Sequence, residues 1–334
     1  MSFSKIKGNS KLISSFKELI KTNSFPSCSL FYGPPGIGKF MTAFEIAKTH
    51  FCSGKSGEDI SLFSDDNKGE EKKEEACGKC EECIRVEKRL HPDFRIVDAK
   101  FQASLLDEPE EKQKTIKIDT LREIASFAYE KPYISSDKFI IIDKAETMTH
   151  EAQNSLLKIL EEPPQSAKII LISNDKNLLL QTIVSRVFPF KFLPLSGEDL
   201  AEILGNFSIE EKDASFLSDI SGGSVGKALE FSKLLEEFRS KKHLGKLLPF
   251  SMLPARTQTY EQRAKTALVL DFLAAAAAKD KINPPLNFSR KAKEINNLLS
   301  YSLWLKHNVS PKIIMELALN DYLKYGNFDF GEKL

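Results

Sequence analysis

"FYGPPGIGKF", residues Phe31 to Phe40, decides how this chain is read. Gly33, Pro34, Pro35, Gly36, Ile37, Gly38 and Lys39 have the G-x-x-x-x-G-K spacing of a phosphate-binding loop. In such a loop, backbone N–H groups at a helix N-terminus hold phosphate oxygens and the lysine reaches the terminal ones. The next position ordinarily carries a Ser or Thr hydroxyl that ligates Mg²⁺, and here it is Phe40. Thr42 is a poor substitute, because two residues on it is turned by about 200° around the helix. On these residues alone Phe40 reads either as a lost ligand or as an apolar side chain packed beside the loop.

The surroundings favour a genuine loop. Ser27 to Tyr32 is a short apolar run that reads as a buried strand, and Lys39 to Thr49 has a helical pattern. Strand, glycine-rich turn and helix are the setting a phosphate loop needs. Upstream, Lys11 to Ile20 carries apolar residues at helical spacing. Downstream, Asp119 is placed to cap a helix over Thr120 to Glu130, and Phe139 to Asp143 reads as a strand ending in a carboxylate. Glu151 to Glu161 reads as a helix stopped by Pro163 and Pro164, with further strands at Lys168 to Ser173 and Phe188 to Phe192. Strands alternating with helices predict an α/β domain with a parallel sheet and helices on both faces.

After Leu195 the strand signal ends. Gly197 to Leu235 reads as a small set of helices around Ser221-Gly-Gly-Ser224, and a break follows from Lys241 to Pro254. Thr259 to Lys324 is helical again, interrupted at Asn283-Pro-Pro285. Three domains are therefore expected: an α/β domain over 1–195, a small helical lid over 196–240 and a helical domain over 241–334. Lys68 to Glu75 is a charged, low-complexity stretch that reads as a solvated insertion.

Composition excludes several classes. The 334 residues are 41% apolar and 28% charged, with a net charge of +1, so no basic surplus marks a nucleic-acid or anionic-membrane surface. The longest apolar run, Leu268 to Ala278, is interrupted by Asp271 and is too short to span a bilayer. The N-terminal stretch has no apolar core of signal-peptide length. A cytoplasmic protein is expected, in which cysteines are reduced thiols or metal ligands. Cys77-x-x-Cys80-x-x-Cys83, with Cys52 upstream, supplies four thiolates suited to a structural, tetrahedral Zn²⁺ with no open position, so a zinc module is expected over 52–83. Glu74, Glu75, Glu81 and Glu82 flank the triplet and argue against phosphate contact by a nucleic-acid-reading finger. Cys28, in an apolar run, reads as a small core residue.

Three further positions bear on chemistry. Asp143 closes a candidate Walker B strand and is placed to hold Mg²⁺ through water, but the glutamate that polarises the attacking water in an active ATPase is replaced by Lys144. Glu146 lies two residues beyond. Arg186, in Ser185-Arg186, is either a surface cation or a guanidinium suited to stabilise a transferring γ-phosphoryl, including one bound by another subunit.

Taken together, these segments resemble bacterial clamp-loader subunits of the AAA+ superfamily. "FIIIDKAETMTHEAQNSLLKILEEPP", residues 139–164, is the most specific segment, and "GNSKLISSFKELIKTNSFPSCSLFYGPPGIGK", the cysteine set, "HPDF", "TIVSRV" and "NVSPKIIMELAL" extend the resemblance almost end to end. "TIVSRV" departs from the family's Ser-Arg-Cys by Val187. The resemblance implies an α/β AAA+ P-loop domain with a zinc module, a helical lid and a helical collar that oligomerises. It implies a subunit of the DNA polymerase III clamp loader that supports ATP-dependent loading of the sliding clamp onto primed DNA. Its partners would be gamma/tau and delta subunits, with clamp and DNA met through the complex and no membrane contact. Phe40, Lys144 and Gly226, which stands where a motor subunit has its sensor-2 arginine, are three separate departures from the hydrolysing pattern. They are similar to the delta-prime type, in which Arg186 would act as an arginine finger in trans. The alternative is an active gamma/tau-like ATPase. Lys39 and the glycines leave residual ATP or ADP binding open.

Overall fold

The computed structural model describes residues 3, 6–54, 75–241, 259–279, 288–307 and 309–325. The charged residues 68–74, the interior of the break after Lys241 and the Asn283-Pro-Pro285 interruption lie outside them. The chain divides into two compact units, Met1–Pro194 and Leu195–Leu334. Among the described residues no helix is long and apolar enough to cross a membrane.

The first unit has the α/β architecture expected, a parallel sheet with helices on both faces. Its elements run α1 (Ser10–Lys21), β1 (Cys28–Tyr32), α2 (Lys39–Phe51), α3 (Glu81–Glu87), β2 (Phe94–Val97), α4 (Ala99–Leu106), α5 (Ile118–Tyr129), β3 (Lys138–Ile142), α6 (His150–Glu161), β4 (Ala167–Ser173), α7 (Gln181–Val184) and β5 (Phe188–Lys191). The five strands form one parallel sheet in the order β2-β3-β4-β1-β5. Strand β2 is the strand that pattern reading missed, and the short helices α3, α4 and α7 were not foreseen either. The four residues of β2, Phe-Arg-Ile-Val, are too few and too mixed to stand out before pairing with β3.

Strands β1 to β4 bury both faces, and the period of two sorts their side chains into two cores. Leu30, Ile140, Ile142, Ile169 and Leu171 pack with Leu121, Ile124, Leu156 and Ile159 of α5 and α6. Phe31, Phe139, Ile141, Ile170 and Ile172 pack on the other face with Phe16, Ala43, Ile46 and Ala47 of α1 and α2. Phe16 is the hub of this second core: its ring lies 5.0 Å from Phe31 and 4.8 Å from Phe190, centroid to centroid. Strand β5 is an edge, and Pro189 within it removes a donor that would otherwise invite another strand.

One cap differs from expectation. Helix α5 begins at Ile118 with Lys117 at its N-cap, so Asp119 lies inside the first turn. There its charge still meets the positive end of the helix dipole, and it pairs with Arg122 at 3.2 Å. The cap position is set earlier because Lys117 N donates to the buried side chain of Gln102, which fixes the chain's entry into the helix.

The second unit is helical. It holds α8 (Gly197–Gly205), α9 (Glu211–Ile220) and α10 (Val225–Lys241), then the helices Thr259–Lys279, Phe288–Lys306 and Pro311–Tyr325. One apolar cluster runs through it, with Phe231 and Phe238 of α10 against Phe272 at 5.3 and 5.7 Å.

Two predictions follow from this packing. Phe16→Ala leaves a ring-sized void at the hub and is expected to cost about 3–5 kcal/mol in chemical denaturation. The second concerns Asp137. A hydrogen bond from His50 at 2.9 Å, aided by Ser136, outweighs burial and holds its carboxyl at about 2. The folded value lies below the unfolded one, so the interaction stabilises above about pH 4 and is lost as pH falls through about 2. Urea titrations between about pH 4 and pH 2 should therefore show a shallower loss of stability in Asp137→Asn than in the parent chain.

Candidate functional site

The phosphate loop leaves the carboxyl end of β1. The loops after β3 and β4 emerge from the same edge of the sheet, because the strands are parallel and β4 pairs with both β1 and β3. Gly33 has φ +147°, and a Cβ built there would lie 2.4 Å from the carbonyl oxygen of Phe192. Only glycine lets the loop start pass that carbonyl. Gly36 and Gly38 have φ of 71° and 93°, and helix α2 starts directly after Gly38. The loop is therefore built as a phosphate loop in backbone terms, with Pro34, Pro35 and Gly36 exposed and Ile37 buried beneath them.

The side chains tell a different story. Phe40 is half-buried and packs against the α1–α2 core, its ring 6.2 Å from that of Phe44. The Thr42 hydroxyl is buried and donates to the carbonyl of Gly38 at 3.0 Å. Phe40 has no oxygen to offer a metal at the phosphates, and the Thr42 oxygen is withdrawn from solvent. The backbone and Lys39 fit a nucleotide's phosphates, and the Mg²⁺ ligand set does not.

Lys39 is 5% exposed. Its Nζ donates to the carbonyls of Gly33 and Pro34, at 2.6 Å each, and to Asn174 Oδ1 at 3.2 Å. Burial lowers its pKa, and Glu146 and Asp143 oppose that shift. Asp143, just past β3, has its carboxyl pushed up by burial, against the backbone hydrogen bond and charge of Lys144. Lys144 itself is exposed, with φ 50°, and opens the turn that carries Glu146. Glu146 Oε1 accepts from Asn174 Nδ2 at 2.7 Å. Asn174, at the end of β4, was missed in sequence. Its one signal was a polar residue following an apolar strand.

Arg186 stands apart from this cluster. Its Nη2 lies 2.8 Å from Glu161 Oε1, and Nη1 donates to Thr182 O at 2.9 Å and Ser185 Oγ at 3.2 Å. Glu161, the last residue of α6, was not singled out from sequence either. Val187 beside it is buried. Gly226 lies in the first turn of α10 in the second unit. Its neighbour Lys227 turns to Asp271 at 3.1 Å and lies over the Phe231 ring.

The four cysteines do converge. Their sulfurs all lie within 4.8 Å of one another. The Cys77–Cys83 and Cys52–Cys80 sulfurs are each 4.0 Å apart. A tetrahedron with metal–sulfur bonds of about 2.3 Å has sulfur–sulfur edges of roughly 3.8 Å, so the set fits a single ion. Backbone N–H groups of Cys77, Cys80 and Cys83 donate to the sulfurs of Cys52, Cys77 and Cys80 at 3.3–3.4 Å, which orients the ligands. The cysteines could thus hold a metal ion. Cys28 is remote in role: it is buried in the α5–α6 core, and burial pushes its thiol up to about 11.

Residues 8–196 match the profile of the family described as DNA polymerase III, delta subunit. The chain is 32% identical over 200 residues to DNA polymerase III subunit delta' of Pseudomonas aeruginosa, covering 58% of this chain and 52% of that one. It is 30% identical over 234 residues to DNA polymerase III subunit gamma of Buchnera aphidicola, covering 68% and 56%. The chain thus spans little more than half the length of these relatives. Its fold is similar to that of a DNA polymerase III gamma subunit-related protein of Thermotoga maritima, with a TM-score of 0.56 at 18% identity over 94% of this chain and 99% of that one. With more than half of its residues matched by that profile, on a sheet and loop of AAA+ build, the chain belongs to the DNA polymerase III, delta subunit family of bacterial clamp-loader proteins.

Proposed function

We propose that this chain is a delta-prime-type clamp-loader subunit that does not hydrolyse ATP itself and supplies Arg186 as an arginine finger to ATP bound by a neighbouring motor subunit. The observation that carries this reading is the treatment of the Mg²⁺ position: Phe40 is packed against core, and the Thr42 hydroxyl is fully buried against the Gly38 carbonyl. Lys144, a cation where a water-polarising carboxylate is needed, and Gly226, which has no side chain, support the same reading. Arg186 is tethered only at a surface, by Glu161 and its own helix end. Such exposed pairs are worth about 0–1 kcal/mol, so a phosphate of the neighbour competes readily for the guanidinium.

The partners proposed are gamma/tau and delta subunits, with the sliding clamp and primed DNA engaged through the complex in the cytoplasm. In the second unit the proposed lid spans 196–240 and the proposed collar 241–334. Leu299, Leu303, Trp304, Ile313 and Leu317 expose apolar surface on two collar helices, which suits association with other subunits. The cysteine set, Cys52, Cys77, Cys80 and Cys83, is proposed to hold a structural Zn²⁺: four thiolates are a soft, closed ligand set.

A second reading, an active gamma/tau-like ATPase, is favoured by the retained Lys39 and loop glycines. ATPase assays on the isolated chain and on the reconstituted complex separate the two. The first reading expects no turnover by the isolated chain. It also expects Arg186→Ala to slow hydrolysis at the adjoining site by about 10³-fold or more while the complex still assembles in gel filtration. Unchanged DNA-stimulated turnover in that variant sinks the finger assignment. Turnover by the isolated chain that Lys39→Ala stops would establish the second reading. Elemental analysis should find about one zinc per chain, lost in Cys83→Ser, with a lowered Tm after chelation. Full retention of metal by Cys83→Ser would remove the cysteine site.

A further inference from the structure

The cluster at the phosphate loop contains a charge, on Glu146, that has no part in the proposed function. Lys39 has three ammonium protons, and Gly33 O, Pro34 O and Asn174 Oδ1 take all three. Asn174 then passes the interaction on, from Nδ2 to Glu146 Oε1 at 2.7 Å. The polarity of this chain is forced at both ends. An ammonium only donates and a carboxylate only accepts, so Asn174 must turn its oxygen to Lys39 and its nitrogen to Glu146.

Glu146 is thus an internal anion wired to the one cation of the loop. Its other oxygen, Oε2, is buried and has no hydrogen-bond partner among the described residues. A carboxylate held with one oxygen out of water and unpaired is unfavourable unless its charge is used. The nearest use is Lys39, whose ammonium burial disfavours and whose charged form Glu146 supports more than Asp143 does. The same negative charge faces any phosphate that approaches Lys39. A polyphosphate must displace a carbonyl or the Asn174 amide from Nζ and accept the repulsion of Glu146, a repulsion that grows with the ligand's own charge.

We propose that Glu146, acting through Asn174, is the specificity-determining residue of this phosphate loop: it internally neutralises Lys39 and biases the site against highly charged phosphates, so that binding weakens from AMP-like to ATP-like ligands relative to an ordinary loop. This rests on the degenerate-site reading only for where the phosphates would sit. It concerns binding and not hydrolysis.

The test is calorimetric titration of the full chain, without Mg²⁺, with AMP, ADP and ATP. Glu146→Gln keeps the side-chain volume and an oxygen that accepts from Asn174 Nδ2, and removes the charge alone. It should tighten ATP by about tenfold, ADP by less and AMP hardly at all, with Tm unchanged. Glu146→Ala, which also frees Asn174, should tighten ATP at least as much. Lys39→Ala in either background should abolish the gain. An equal gain for all three nucleotides, no gain in Glu146→Gln, or no nucleotide binding by any of the Glu146 variants would each overturn the proposal. The readout is binding to the isolated chain, whereas the Arg186 experiment reads hydrolysis in the complex, so the two readings fail separately.

Discussion

Strand β1 is hydrogen-bonded along both edges, to β4 on one side and β5 on the other, and everything at the candidate site takes its position from that placement. The loop that leaves β1 passes the Phe192 carbonyl so closely that only Gly33 fits, while Phe192 N donates back to Tyr32 O at 2.8 Å. This contact joins the end of β1, the start of the loop and the chain leaving β5 into one rigid corner. Beneath it, the Phe16 hub packs the same corner from the helical side. The phosphate loop therefore keeps its shape for reasons of packing alone, whether or not a phosphate ever occupies it.

That independence explains how the loop's backbone and its chemistry come apart in this chain. The glycines are required by backbone geometry, and Lys39 by its buried hydrogen bonds to the loop carbonyls. Phe40 and Lys144 face no such demand. Position 40 sits where helix α2 meets the second core, so an aromatic ring gains burial there at the expense of a metal ligand. Lys144 lies exposed on a left-handed turn, free of packing. Positions 40 and 144 are thus ones that the backbone geometry of the loop and the turn does not reserve for a single residue type.

The metal candidate is organised on the opposite principle. Cys80 and Cys83 are buried, with Cys77 exposed and Cys52 between these extremes, and successive backbone N–H groups point at the sulfurs. The site is built by Cys52 at the end of α2, a short knuckle at Cys77 and Cys80, and Cys83 in helix α3. Beside it, Phe51 stacks on His91 at 4.0 Å and Asp93 accepts N–H groups from Tyr133, Ile134 and Ser135. The "HPDF" segment is thus a structural clasp between the knuckle and the approach to β3.

Much of this was legible in the sequence. Glycine and lysine spacing, apolar runs of strand length and the Cys-x-x-Cys-x-x-Cys pattern are local signals, and each marks a geometry that nearby residues enforce by themselves. The three sulfurs of the Cys-x-x-Cys-x-x-Cys run and the strand–loop–helix unit accordingly came out where local spacing placed them, while Cys52 joins from the end of α2. Strand β2 was not legible, because a four-residue strand with an arginine in it exists only once β3 lies beside it. Nor was the start of α5, which Gln102 sets from another element. The partners of Lys39 and Arg186 were hidden for the same reason: Asn174 meets Lys39 and links it to Glu146, and Glu161 meets Arg186, across loops that only the folded sheet brings together. The sequence by itself determined which residues have the chemistry to meet a phosphate or a metal; the tertiary structure alone decided which of their protons and lone pairs are already taken.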